Sequence, residues 1–288
     1  MFQENSYEKI IQTAILTAYP RIFTDIPLSK EIFDELERMR KTEGSEEISV
    51  ELKVSKLAPE LEARYKLVDQ LLHQNNATQI LEIAAGLSPR GVEWTKNQAI
   101  EYVEVELPEM ARDKKKIFKA LIKIPPNLHL EEGNALNLKD LQKSITHFKK
   151  DRPIAVVNEG LLRYLNFDEK AIVAKNVRAL LKIFGGVWIT PDITLQKLLQ
   201  VQNKVTMPGK NQEIVQRTGR NIEQNSFKNE EEAEKFFNNL GFIVERHSLL
   251  EVMDKLTSPK KLNISQEEVK KMLEPAVVFV MKLADSGA

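Results

Sequence analysis

Three acidic residues stand where an unpaired charge is costly. Glu82 lies inside the apolar run Gln79-Ile-Leu-Glu-Ile-Ala84, and Glu106 closes the run Tyr102-Val-Glu-Val-Glu106. Glu159 follows the wholly apolar Pro153-Ile-Ala-Val-Val-Asn158. A carboxylate at the end of a buried strand needs a cationic partner, either a basic side chain or a positively charged ligand. Gly86 ends the first run, behind Ala84 and Ala85, where small residues let a backbone come close to a ligand and glycine can take a positive φ. Glu106 stands twenty positions after Gly86, the spacing at which an acid can accept both hydroxyls of a ribose. Glu104 shares its face by period-two alternation but lies deeper in the strand. Past a third strand, Gly133-Asn134-Ala135-Leu136 offers an amide that could read an adenine edge, the alternative being a plain Asx turn. A ligand with a positive centre, a ribose and an adenine satisfies all of these positions, and S-adenosylmethionine (SAM) is such a ligand. The bland alternative for Gly86 is the exit turn of an ordinary buried strand.

Other chemistries fail on particular residues. The dinucleotide fingerprint is absent, since Ala84 stands where its first glycine belongs and Leu87 and Pro89 follow. Ser88 cannot head a hydrolase elbow, because Pro89 has no N–H to offer an oxyanion. The chain has no cysteine, which excludes disulfides, thiolate catalysis and Cys-based zinc sites. His73, His129, His147 and His247 show no metal-ligand spacing. Lys plus Arg equals Asp plus Glu at 42 each, so no global charge favours nucleic acid. Asn158-Glu-Gly-Leu161 also lacks the Pro-Pro-aromatic turn of nucleic-acid amino-methyltransferases. No apolar run approaches a membrane span and no leader pattern opens the chain, so a cytoplasmic protein with a small-molecule acceptor is expected, with no membrane or nucleic-acid partner.

The elements that must position these residues follow from periodicity. With 42% apolar and 29% charged residues over 288 positions, one large α/β unit with additions is expected. Residues 5–40 read as helical, interrupted at Pro20 and Pro27, and 41–56 as a polar connection. Leu57–Leu72 is amphipathic and carries Arg64. From Gln79 strands and helices alternate, with strands at 79–84, 99–107, 127–131, 153–158 and 186–190, and two closing strands at 242–245 and 276–281. That pattern predicts a doubly wound, mostly parallel seven-stranded α/β sheet. The organisation read is an N-terminal helical extension over 1–60 and a SAM-binding domain over 61–288. Residues 193–228 are too long for an ordinary loop and read as a lid insertion. Oligomeric state leaves no mark in the pattern.

Gln79–Gly91, Tyr102–Pro108 and Val157-Asn-Glu-Gly-Leu-Leu-Arg-Tyr-Leu165 together resemble the leucine carboxyl methyltransferase family, with closer similarity to its bacterial branch of polyketide-type O-methyltransferases. Thr13–Tyr19, Asp25-Ile-Pro27, the Ala63-Arg64 helix and Glu274–Met281 fit the same pattern. The resemblance implies a class I SAM-dependent methyltransferase. It implies that Arg64 pairs with the methionine carboxylate, Gly86 underlies the methionine part, Glu106 holds the ribose and Glu159 faces the ammonium. Asn134 and Ala135 fall at the adenine, and Glu82 joins the expected cofactor set. Tyr19, Arg21, Arg163 and Tyr164 are the candidates for closing the site or touching acceptor, with a surface helix-end charge as the alternative for Arg21. If the acceptor is a carboxylate, it is already ionised near neutral pH and no general base is needed. A hydroxyl acceptor would want one, with Tyr164 and Tyr19 the catalytic candidates and Glu159 a further possible base. The expected activity is O-methyl transfer to a carboxylate or hydroxyl of a small molecule. Methylation of a protein C-terminus, or cofactor binding without catalysis, stand as alternatives.

Overall fold

The computed structural model describes residues 14, 15, 17–42, 52–206 and 221–284. The expected polar connection falls largely on 43–51, and the middle of the insertion on 207–220, both outside the described residues, as is the start of the N-terminal helix. A helical segment over 17–21 ends just past Pro20, and α1 (Ser29–Thr42) begins two residues after Pro27. A short 3-10 turn then leads into α2 (Ala58–Gln74), with Pro59 at its first turn, where a missing N–H costs nothing. The boundary expected at 60/61 therefore falls inside one helix. Ile15, Ala18, Ile32, Phe33 and Leu36 join the same apolar core as the strands.

The alternation that follows is β1 (Gln79–Ile83), α3 (Arg90–Trp94), β2 (Glu101–Glu106), α4 (Pro108–Leu121), β3 (Leu128–Glu132), α5 (Leu138–Ser144), β4 (Ile154–Asn158), α6 (Phe167–Phe184) and β5 (Gly186–Thr190). After the insertion, which opens with α7 (Gln196–Val201), come α8 (Glu230–Asn239), β6 (Phe242–Ser248), α9 (Ser258–Lys261), α10 (Gln266–Leu273) and β7 (Val277–Leu283). The strands form one sheet in the order β3-β2-β1-β4-β5-β7-β6. The first five are parallel, and β7 runs antiparallel to both β5 and β6. The α/β, mostly parallel, seven-stranded architecture agrees with the reading of the sequence. β1 and β4 are buried along their whole length, as strands covered by helices on both faces must be. Two helices and a 3-10 turn between 249 and 273 were not expected, although Val269, Met272 and Leu273 carry helical apolar spacing behind a capping box of Ser265 and Glu268.

Register fixes what lies at the carboxyl edge. Ile83 at the end of β1 pairs with Val105 of β2 on one side and with Asn158 of β4 on the other. Glu106 and Glu159 are the next residues of those two strands. They stand at one level on the same edge, two strand spacings (about 10 Å) apart, with the tip of β1 between them. This edge is the crevice in which open α/β sheets bind ligands.

The ends of the insertion are strapped to the body. Leu195 bridges Phe227, and the Phe227 N–H donates to the Thr194 carbonyl at 2.9 Å. Gln202 Nε2 donates to both oxygens of Glu60 on α2 at 3.0 and 2.9 Å. Buried Lys170 on α6 donates to the carbonyls of Leu165 and Asn225, the latter at 2.8 Å.

Candidate functional site

The tip of β1 is open. A Cβ placed on Gly86 would meet nothing within 4 Å, and the same holds at Gly160 beyond β4. Both have positive φ (51° and 89°), which glycine adopts without penalty. Ala84 also takes a positive φ of 56°, and its N–H donates to the Val105 carbonyl at 2.8 Å, tying the turn to β2. The helix after this turn is only five residues long. Arg90 N is turned to Ser88 Oγ (3.3 Å) and Val92 N to the Pro89 carbonyl (3.0 Å), so an anion-binding helix terminus is absent at that place.

On the β2 side, Glu106 accepts from the Gly86 N–H and, at 3.3 Å, from the Leu107 N–H. Burial pushes its carboxyl above the usual carboxylate range, opposed by those amide hydrogen bonds. Glu104, one pleat deeper, is buried against Lys114. Burial raises its carboxyl to about 7. Asn134 takes the Asx-turn geometry, its Oδ1 accepting from the Leu136 N–H at 2.9 Å while the residue stays exposed. Ala135 is buried, and its carbonyl accepts from Asn176 Nδ2 at 2.9 Å.

On the β4 side, Glu159 meets three arginines. Arg90 Nη2 lies at 3.1 Å, Arg21 Nη2 at 3.4 Å and Arg64 Nε at 3.7 Å. Burial alone would raise this carboxyl, but Arg64, Arg21 and Arg90 outweigh it and hold it at about 2. Arg21 is buried in this cluster and is not the surface helix-end charge that was its alternative. Arg64 Nε and Arg21 Nε are buried without a hydrogen-bond partner.

Glu82 does not belong with the cofactor contacts. It is completely buried, and its oxygens go to Arg90 Nη1 and to the Tyr102 hydroxyl at 2.7 Å, so a ligand would have to displace Arg90 to reach it. Its role is to hold Arg90, which also bonds Asp69 at 2.9 Å and lies over the Tyr65 ring at 4.4 Å. Sequence reasoning passed over Arg90, although a buried acid eight residues earlier was asking for a cation. It also passed over Asp192, two residues beyond β5, which is buried and paired with Arg64 Nη2 at 2.8 Å. The signal was close to the one used for Glu159: an acid just beyond an apolar strand, here behind Pro191.

Tyr164 is half-buried against Leu199 and Ile222 of the insertion, and Arg163 lies over its ring at 5.7 Å. Burial raises the Tyr164 hydroxyl above its ordinary value. Tyr19 packs edge-on to Phe23 and tilted on Phe33, with centroids 5.6 and 5.4 Å away. Among the described residues, no group of three or more His, Asp and Glu side chains is arranged to hold a metal ion. No helix among them is long and apolar enough to cross a membrane.

Comparison with known proteins adds the family. No curated protein matches the chain. Among solved structures, a DUF574 family protein from Streptomyces avermitilis superposes with a TM-score of 0.58 at 13% identity, covering 94% of this chain and 97% of that one. The magnesium protoporphyrin IX methyltransferase of Synechocystis, solved with bound SAH, superposes with a TM-score of 0.50 at 9% identity, covering 88% and 94%. At such identities these likenesses speak to the fold alone. The family model described as leucine carboxyl methyltransferase matches residues 19–178, more than half of the chain, a span that includes Arg21, Arg64, the β1 turn, Glu106 and Glu159. The chain therefore belongs to the leucine carboxyl methyltransferase family and is a SAM-dependent methyltransferase.

Proposed function

We propose that the enzyme is an O-methyltransferase acting on a carboxylate or hydroxyl of a small molecule, with the cofactor lying across the open tip of β1. The observation that carries this reading is the pair of carboxylates, Glu106 and Glu159, flanking Gly86 at one level of one sheet edge. Glu106, anchored by the Gly86 N–H, would accept the ribose hydroxyls. Glu159 would answer the ammonium, and the unpartnered Nε of Arg64 the α-carboxylate, so each end of the cofactor's zwitterion meets its opposite charge. The open space at Gly86 and Gly160 would take the methionine chain. Asn134 and Ala135 stay at the adenine end. When bound, SAM supplies a methyl group on a sulfonium, ready for in-line displacement.

The protein's share of the work is orientation and exclusion of water. Correct placement of the reactants alone can supply about 7–11 kcal/mol of the barrier. A carboxylate acceptor needs no proton removed, which suits a site whose tyrosine hydroxyl is pushed upward and whose Glu159 is held by arginines. For such an acceptor Tyr164 and Arg163 would donate hydrogen bonds, while Tyr19 and Arg21 would close the site from the N-terminal segment. Incubating the enzyme and a cell extract with methyl-labelled SAM tests the reading. Label in low-mass, base-labile esters or in ethers supports it. Label in a polypeptide would instead favour carboxyl methylation of a protein, and SAM binding without any transfer would leave a non-catalytic binder.

A further inference from the structure

Asp192 has an unusual set of partners for a residue no ligand can touch. It is 2% exposed and lies two residues beyond β5. Its Oδ1 accepts from Arg64 Nη2 at 2.8 Å and from the Gly160 N–H at 2.7 Å. Its Oδ2 accepts from Asn158 Nδ2 at 2.8 Å, the Leu161 N–H at 2.7 Å and the Leu162 N–H at 3.1 Å. Asn158 is fixed in turn by Trp188, whose Nε1 donates to its Oδ1 at 2.7 Å. Both carboxylate oxygens are thus saturated by α2, by the end of β4 and by the turn after Glu159. A buried carboxylate survives only when satisfied in this way.

The planar guanidinium makes this anchor directional. Fixing one nitrogen of a rigid fork fixes the direction of the others. With Nη2 of Arg64 tied to Asp192, its Nε is left 3.7 Å from Glu159 Oε1 and without a hydrogen-bond partner. The three N–H bonds to Asp192 also hold the open Gly160 turn beside it. We propose that Asp192 is the positioning residue of the cofactor site: it aims Arg64 at the α-carboxylate of SAM and sets how far the enzyme prefers a ligand that carries one. This rests on the SAM placement argued above.

The test compares SAM with decarboxylated SAM, which lacks only that carboxylate, by calorimetry on the full chain. Wild type should prefer SAM. Asp192→Asn should weaken SAM by about tenfold or more, the worth of a charge-assisted hydrogen bond, and change the decarboxylated ligand by less than about twofold. Arg64→Ala should erase the preference, and adding Asp192→Asn to it should cost SAM nothing further. An equal loss for both ligands in a variant that still melts cooperatively would mean that Asp192 only braces the turn, overturning the proposal, as would no loss for either. If Asp192→Asn does not fold, Asp192→Glu, which keeps the charge but displaces it, replaces it in the comparison: a loss confined to SAM supports the proposal, and any other pattern overturns it. Wild type that binds neither ligand would overturn the cofactor placement itself, a failure distinct from loss of selectivity.

Discussion

The two sides of the β1 tip use the same side chain in opposite settings. Glu106 ends β2 and Glu159 directly follows β4, the two strands that flank β1, yet burial pushes the first carboxyl up while three arginines hold the second at about 2. Glu106 is fixed by two main-chain amides from residues near the sheet edge, with no full positive charge bonded to it among the described residues. Glu159 is fixed by side chains from the N-terminal segment, α2 and α3, and behind them by Glu82, Asp69 and Asp192. A neutral sugar needs only a well-placed acceptor. An ammonium and carboxylate need charges that remain ionised and oriented when water leaves, which takes a network.

The largest effect should follow from breaking that network. Glu159→Ala leaves Arg21, Arg64 and Arg90 facing one another in a buried site, and losing one partner of a buried pair costs about 3–5 kcal/mol. Chemical denaturation should show that loss together with abolished SAM binding, and a variant as stable as wild type would refute the network. The pH dependence has a definite sign. With a folded pKa of about 2 against an ordinary 4.5, Glu159 contributes stability that is fully present above 4.5 and is lost as pH falls toward 2. The difference amounts to about 3 kcal/mol, so the acid limb of the wild-type stability curve should flatten in Glu159→Gln.

Glu106→Gln should behave in the contrary way. Its raised pKa means the folded state holds the proton more tightly, so this group's contribution declines as pH rises from 4.5 through the higher folded value. The ligand-free variant should therefore melt no lower than wild type at pH 7, while SAM affinity falls about 10–100-fold through lost charge-assisted hydrogen bonds. A variant that melts well below wild type, or that binds SAM unchanged, would remove Glu106 from its proposed place.

The contrast also explains what the sequence revealed. The tips of β1, β2 and β4 were legible, because apolar runs ending in Gly86, Glu106 and Glu159 announce both a buried strand and its exit. Glu106 was found by its spacing from Gly86, a relation between neighbouring strands. The β4 side depends on pairings such as Arg21 with Glu159, 138 positions apart, which no local period encodes. The need for a cation was readable at Glu82 and Glu159, but its source was not. Arg90, inside the best-recognised stretch of the chain, satisfies both acids from beneath the turn.

The smallest effects should separate binding from folding within the β1 turn and α3. At Gly91 a Cβ would stand 2.5 Å from Glu104 Oε1 and 2.7 Å from Leu128 Cδ1, so Gly91→Ala overpacks the buried Glu104 layer, costing about 1–3 kcal/mol. At Gly86 the added methyl meets only open space, leaving a backbone penalty of about 1 kcal/mol for its positive φ. Thermal melts should therefore rank Gly91→Ala as the more damaging change. SAM titration should reverse the order, because the Gly86 methyl fills the space the methionine chain would take while the Gly91 methyl points into the core. The same ranking in both measurements would mean that the hollow at Gly86 is not where the cofactor lies.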